Sequence, residues 1–216
     1  MFIGHFAVGF AAKRAAPRAP LPVLLAAPQF LDILWPIFNL AGIEHTRIQA
    51  GATAASPLVL EYMPYSHSLV AALGWSIAFG AVYAALRRDG RAAVVLGLCV
   101  LSHWVLDWIA HAPDMPILHG DGPRYGLGLW NSIPGTLAVE GAMMIGGALL
   151  YASVTRARDR IGRIGLWVFV AALFAMQLGA TFGPPPPDPR GLFVVSIAAW
   201  SLLLVAWWIE RHRDPV

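Results

Sequence analysis

The sequence is poor in charge, in lysine and in cysteine. Charged residues make up 12% of its 216 positions, against about 25% in an ordinary soluble domain. With 58% hydrophobic residues and a mean hydropathy of +0.63, this excludes an ordinary cytosolic enzyme and a disordered chain. An integral membrane protein remains. Cys99 is the single cysteine and sits in an apolar run, which excludes an intrachain disulfide and a thiolate zinc site of the finger type. One lysine and fourteen arginines face twelve acids, for a net charge of +3. The basic residues form short clusters between apolar runs, so no nucleic-acid footprint is expected. The opening MFIGHFAVGFAAKRAAPR is not expected to be a secretory signal, because its basic residues follow the apolar stretch and no small-residue cleavage site comes after it.

A spanning helix needs about 20 mostly apolar residues. Six segments qualify, near 20–41, 66–86, 92–111, 128–153, 164–183 and 191–209. Phe2–Ala12 is too short to cross and reads as a half-helix or re-entrant start. The expectation is an all-α, polytopic membrane helix bundle in one domain, residues 1–216, with about six transmembrane helices and a short N-terminal half-helix. Lys13, Arg14 and Arg18 precede the first span, and Arg87, Arg88 and Arg91 follow the second. Arg156, Arg158, Arg160 and Arg163 follow the fourth, and Arg211 and Arg213 the sixth. Loops on the other side hold only Arg47, Arg124 and Arg190. The positive-inside rule then puts both termini in the cytoplasm, with Phe2–Ala12 dipping back into the membrane from the Lys13 end. The expected location is a bacterial inner membrane.

Asp32, His103, Asp107 and Glu140 lie inside apolar spans, and His67 and His111 at span ends. A charge at bilayer centre costs about 3 kcal/mol on insertion scales, so such residues normally face the protein interior and mark a functional site. The bland alternative is a buried hydrogen bond that locks helices together. At about 1.5 Å per helical residue, counted from the nearest cytoplasmic arginine, His103 lies about 18 Å up, Asp32 about 21 Å, Asp107 and Glu140 about 24 Å, and His67 and His111 about 30 Å. Four spans thus bring ionisable groups to one level, while His5 counts to about 12 Å. The spans at 164–209 carry no acid or histidine in their apolar runs and read as scaffold beside site-bearing helices in 1–153.

His103, Asp107 and His111 fall at i, i+4 and i+8, on one helical stripe. Imidazoles and carboxylates are the ligand types zinc takes without thiolate. His67, within Ser66-His67-Ser68, joins them by depth. Pro134 and Gly135 are expected to break the helix near Glu140. Asn131 reads first as a helix cap, and otherwise as a ligand or a substrate hydrogen-bonder. Glu44, His45, Glu61, Asp114, His119, Asp121 and Arg124 are exposed loop candidates, of which Arg124 is best suited to bind an anionic group.

The segments MFIGHFAVGF, PQFLDILWP, PYSHSL, LSHWVLDWIAH and GLGLWNS with its later VE resemble the predicted membrane-bound metal-dependent hydrolases, the YdjM-like inner-membrane proteins. The resemblance covers roughly residues 1–145. That family is held to be distantly similar to zinc-dependent phospholipase C and the S1/P1 nucleases, which cleave phosphoesters at a zinc cluster. The resemblance implies His5, Asp32, His67, His103, Asp107 and Glu140 as metal ligands, with His111 a further candidate. This chain shows one aspartate, Asp32, where the family often has two, and Thr136 where the soluble enzymes have a histidine. One or two divalent ions, zinc first, are therefore expected rather than three.

The expected function is a membrane-embedded hydrolase acting on a phosphoester or lipid-linked substrate at the periplasmic side. Membrane lipids are its expected partners. Asp107 or Glu140 would be the general base, and Asn131 and Arg124 would contact substrate. The alternative is a proton- or ion-coupled transporter using the same buried groups. Against it stand the absence of an inverted repeat and the gathering of polar groups at one depth.

Overall fold

A computed structural model describes residues 1–118 and 122–216. His119 and Asp121, two of the loop candidates, lie outside the described residues. The chain forms α1 (Ile3–Ala12), α2 (Leu21–Ala26), α3 (Phe30–Leu40), β1 (His45–Ile48), β2 (Leu58–Tyr62), α4 (Leu69–Arg87) and α5 (Gly90–Ala110). It continues with β3 (Met115–Pro116), β4 (Arg124–Tyr125), a single 3-10 turn at Leu129–Asn131, α6 (Ile133–Ser153), β5 (Thr155–Ala157), α7 (Arg160–Phe182), α8 (Pro189–Ala198), α9 (Leu202–Glu210) and β6 (Arg213–Pro215). The strands form three antiparallel pairs, β1 with β2, β3 with β4 and β5 with β6.

The helical bundle is as expected, but the span count is not. Among the described residues five stretches are long and apolar enough to cross a membrane: α4, α5, α6, α7 and the run Pro189–Glu210. The segment at 20–41 is instead two short helices, α2 and α3, parted at Ala27–Gln29. Pro28 sits at the break, where it has no N–H to give to the helix ladder, although Ala27 before it keeps helical dihedrals. The helix at 128–153 also begins later than expected. Ser132, not Asn131, caps α6 by accepting from Gly135 N–H at 3.1 Å. Pro134 falls in the first turn, where a missing N–H costs nothing, so no kink forms there. Side chains cap three other long helices in the same way: Ser68 for α4, Asp89 for α5 and Asp159 for α7.

The outside of the bundle is apolar. Ile77, Leu86, Val94, Leu98, Val168 and Leu204 are all exposed, as lipid-facing residues must be when the hydrocarbon is the solvent. Inside, α1 packs against α6, α2 and α5. These contacts depend on glycine. A Cβ at Gly147 of α6 would come within 2.4 Å of the Ala7 carbonyl oxygen, and one at Gly9 within 2.6 Å of the Leu24 carbonyl oxygen. The α7 and α8–α9 helices contribute none of the six ionisable residues expected inside or at the ends of spans. They brace the rest: Phe193 of α8 meets Trp35 of α3 edge-on at 5.1 Å, and Glu210 of α9 holds Lys13 at 2.8 Å. Arg213 is buried and donates to Thr155 Oγ1, the Thr155 carbonyl and the Gly162 carbonyl, which pins β6 to β5.

Candidate metal centre

The stripe on α5 faces inward, with His103, Asp107 and His111 all buried. Asp107 is the hub of the cluster. Its Oδ2 lies 3.0 Å from His103 Nε2, 3.6 Å from His67 Nε2 and 3.9 Å from His111 Nε2. Its Oδ1 accepts from His5 Nε2 at 3.0 Å and from the Met1 amine. Asp32 Oδ1 of α3 lies 3.5 Å from His67 Nε2 and 3.7 Å from His103 Nε2. Five residues from four places in the chain thus converge: His5, Asp32, His67, His103 and Asp107. Two overlapping groups, His5–His103–Asp107 and Asp32–His67–His103, each bring their ligand atoms within 4.8 Å of one another. Either group could hold a metal ion.

The outer partners of two histidines determine which ring nitrogen faces the cluster. His103 Nδ1 lies 2.7 Å from the Pro28 carbonyl oxygen. A carbonyl only accepts, so Nδ1 carries a proton, and in the neutral imidazole Nε2 then presents its lone pair to the cluster. The break between α2 and α3 is what frees that carbonyl. His67 Nδ1 lies 2.7 Å from Ser66 Oγ, and Ser66 Oγ lies 2.6 Å from Glu44 Oε2. The carboxylate accepts from the serine hydroxyl, so the serine oxygen accepts from His67 Nδ1–H, and in the neutral imidazole His67 Nε2 carries the lone pair. These two Nε2 atoms are 3.3 Å apart, with the carboxylates of Asp32 and Asp107 beside them. Two imidazole nitrogens and two carboxylates thus face one space, with the Met1 amine and His5 on the far oxygen of Asp107. With neutral imidazoles this is a donor set of the kind zinc takes without thiolate, so the chemistry of the donors fits a metal ion.

His5 is held differently. Its Nε2 donates to Asp107, its ring stacks on His103 at 3.9 Å between centroids, and its Nδ1 is buried without a partner among the described residues. His111 caps the end of α5. Its Nδ1 donates to Asp114 Oδ1 at 3.1 Å and its ring lies 4.1 Å from that of Trp130. Glu140 is fully buried in α6, and its Oε2 accepts from Phe2 N–H at 2.8 Å and Gly4 N–H at 3.1 Å. Its carboxylate therefore sits at the start of α1, where free N–H groups and the helix dipole favour a negative charge. Asn131 is exposed in the turn before α6. Arg124 gives its guanidinium to the carbonyls of Leu60 and Glu61, tying β4 to β2.

Of the loop candidates, Glu61 is exposed and pairs with Arg47 at 2.6 Å, and His45 is exposed. Asp114 is turned toward His111 and also accepts from Leu60 N–H at 3.2 Å. Glu44 is not exposed as expected. Only 1% of it is accessible, because the chain folds back over it and Tyr65 and Ser66 bond its carboxylate. Glu44, expected only as an exposed loop residue, Ser66, quoted only beside His67, and the Pro28 carbonyl form the outer ring of the site. The available signals were the proline inside an apolar run and the serine directly before a histidine.

No protein-family model matches the chain, and comparison with characterised proteins and with solved structures finds no match.

Proposed function

We propose that the cluster binds one or two divalent metal ions, zinc first, and that the protein is a membrane-embedded metal-dependent hydrolase. The carrying observation is the pair of imidazole Nε2 atoms 3.3 Å apart between two aspartates. A metal ion bound there would supply Lewis acidity and lower the pKa of its water from about 15.7 towards 7. Asp107, sealed beneath His5 and His103, anchors the site. Asp32 is the open member, 36% of its side chain being accessible, and in this reading it faces the substrate. Its helix also shows Ile37 and Leu40 to the outside. That apolar border suits a phosphoester carried by a lipid, reaching the site from the periplasmic half of a bacterial inner membrane. The resemblance noted in the sequence adds support for the same reaction class.

Elemental analysis of the detergent-purified protein tests this reading, beside the double variant His103→Ala/Asp107→Ala. Stoichiometric zinc or manganese in the wild type and its loss in the variant are expected, and phosphoester and lipid substrates are then screened. A wild type that holds no metal after reconstitution overturns the hydrolase, and liposome uptake would then test proton-coupled transport. For the topology, a reporter fused after Val216 should read cytoplasm, and one placed within 112–127 should read periplasm.

A further inference from the structure

Glu44 and Ser66 are buried polar groups that the metal reading does not use as ligands. Glu44 Oε1 accepts from the backbone N–H of Tyr65 and of Ser66, both at 2.8 Å, and Oε2 accepts from Ser66 Oγ at 2.6 Å. Three bonds hold a carboxylate that would otherwise be costly to bury. Because Oε1 is committed to two backbone donors, Oε2 is committed to the hydroxyl. The serine proton therefore points at Glu44, and its lone pair points at His67 Nδ1, 2.7 Å away.

We propose that Glu44 and Ser66 are positioning residues. They hold His67 as the Nδ1–H tautomer, so that its Nε2 lone pair faces Asp32, His103 and Asp107. The consequence for metal affinity rests on the metal-centre reading, but the tautomer itself does not. The directionality gives a sharp test. In Glu44→Gln the amide oxygen must take the place of Oε1, because the two backbone N–H groups there can only donate. The amide NH2 then faces Ser66 Oγ and donates to it. Ser66 has then lost the acceptor for its own proton and turns it toward His67 Nδ1, the acceptor next to it, which moves the imidazole proton to Nε2. The lone pair leaves the cluster although the shape of the side chain is kept.

The experiment uses the full chain in detergent or nanodiscs, metal-free, with 15N-labelled histidine. The His67 signals are assigned by their loss in His67→Ala. Wild type is expected to show Nδ1 protonated and Nε2 bare, and Glu44→Gln the reverse. Ser66→Ala removes the acceptor and should leave His67 a mixture of tautomers, while Ser66→Thr restores the wild-type pattern. It carries the same test should Glu44→Gln fail to fold. Cobalt(II) titration provides a second reading, with affinity falling by about 10- to 100-fold in Glu44→Gln and Ser66→Ala, as is usual for outer-shell losses, and returning in Ser66→Thr. A wild-type His67 protonated on Nε2 overturns the proposal, as does an unchanged tautomer in Glu44→Gln or Ser66→Ala. If the tautomer reverses as expected but wild type binds no cobalt, the positioning role stands and the metal reading fails.

Discussion

Gly147→Ala tests how far the site depends on the closeness of two helices. The added Cβ would sit 2.4 Å from the Ala7 carbonyl oxygen and 2.9 Å from Ala7 Cα. Real Cβ atoms stay at least 3.0 Å from such neighbours, so α1 and α6 must part there by at least about 0.6 Å. The obstacle is backbone, and no rotamer change relieves it. Overpacking of this kind costs about 1–3 kcal/mol. His5 lies two residues before Ala7 and reaches Asp107 at 3.0 Å, whereas metal–ligand distances tolerate only about 0.2 Å. Gly146→Ala is the matched control, because nothing lies within 4 Å of a Cβ there. Thermal unfolding and zinc titration in the same detergent provide the assay. Gly147→Ala should melt earlier and bind zinc more weakly, with Gly146→Ala at wild-type level or slightly above. Equal melting temperature and zinc affinity in the two variants would refute the claim that this contact seats His5.

His103→Ala and Asp107→Ala, made singly, should each strip bound metal; retention in both removes these residues from the ligand set. Glu140→Ala removes two charge-assisted bonds that hold the start of α1, each worth about 1.5–3 kcal/mol. Proteolysis or hydrogen exchange should then show α1 loosened, and unchanged protection would contradict the clamp. Arg213→Lys keeps the charge but cannot make three donor contacts to Thr155 and Gly162, so the β5–β6 end should fray first, seen as faster exchange at Arg158 and Val216. Asp159 is held below the ordinary carboxylate range by the Gly162 N–H it caps and by His212. A depressed carboxyl stabilises above its unfolded pKa and loses that contribution as pH falls through the folded one. Melting between pH 6 and 3 should therefore decline more in wild type than in Asp159→Ala, and parallel curves would dismiss the effect.

Much of the bundle is legible from composition and local pattern. Apolar runs mark the long helices, whereas their caps, Ser68, Asp89, Ser132 and Asp159, come from the structure, and the expected cap of α6, Asn131, lies one residue too early. The i, i+4, i+8 stripe of His103, Asp107 and His111 follows from helical periodicity. The depth count instead carries Asp32 up one continuous helix at 20–41, where a hydropathy window averages over Pro28 while the backbone breaks between α2 and α3. It also treats Pro134 as interior, because it cannot see that α6 starts at Ile133.

Composition and spacing thus settle the solvent and the menu: a chain suited to lipid, built of helices, with imidazoles and carboxylates too costly to leave facing hydrocarbon. Their partners follow from packing alone. His5 meets Asp107 across 102 residues, His103 finds the Pro28 carbonyl across 75, and Ser66 finds Glu44 across 22. Depth is a one-dimensional coordinate that follows from spacing along a helix, whereas direction around the bundle depends on how helices pack. That packing turned Glu140 to the start of α1, buried Glu44 behind Ser66, and brought two histidine Nε2 atoms to 3.3 Å between aspartates.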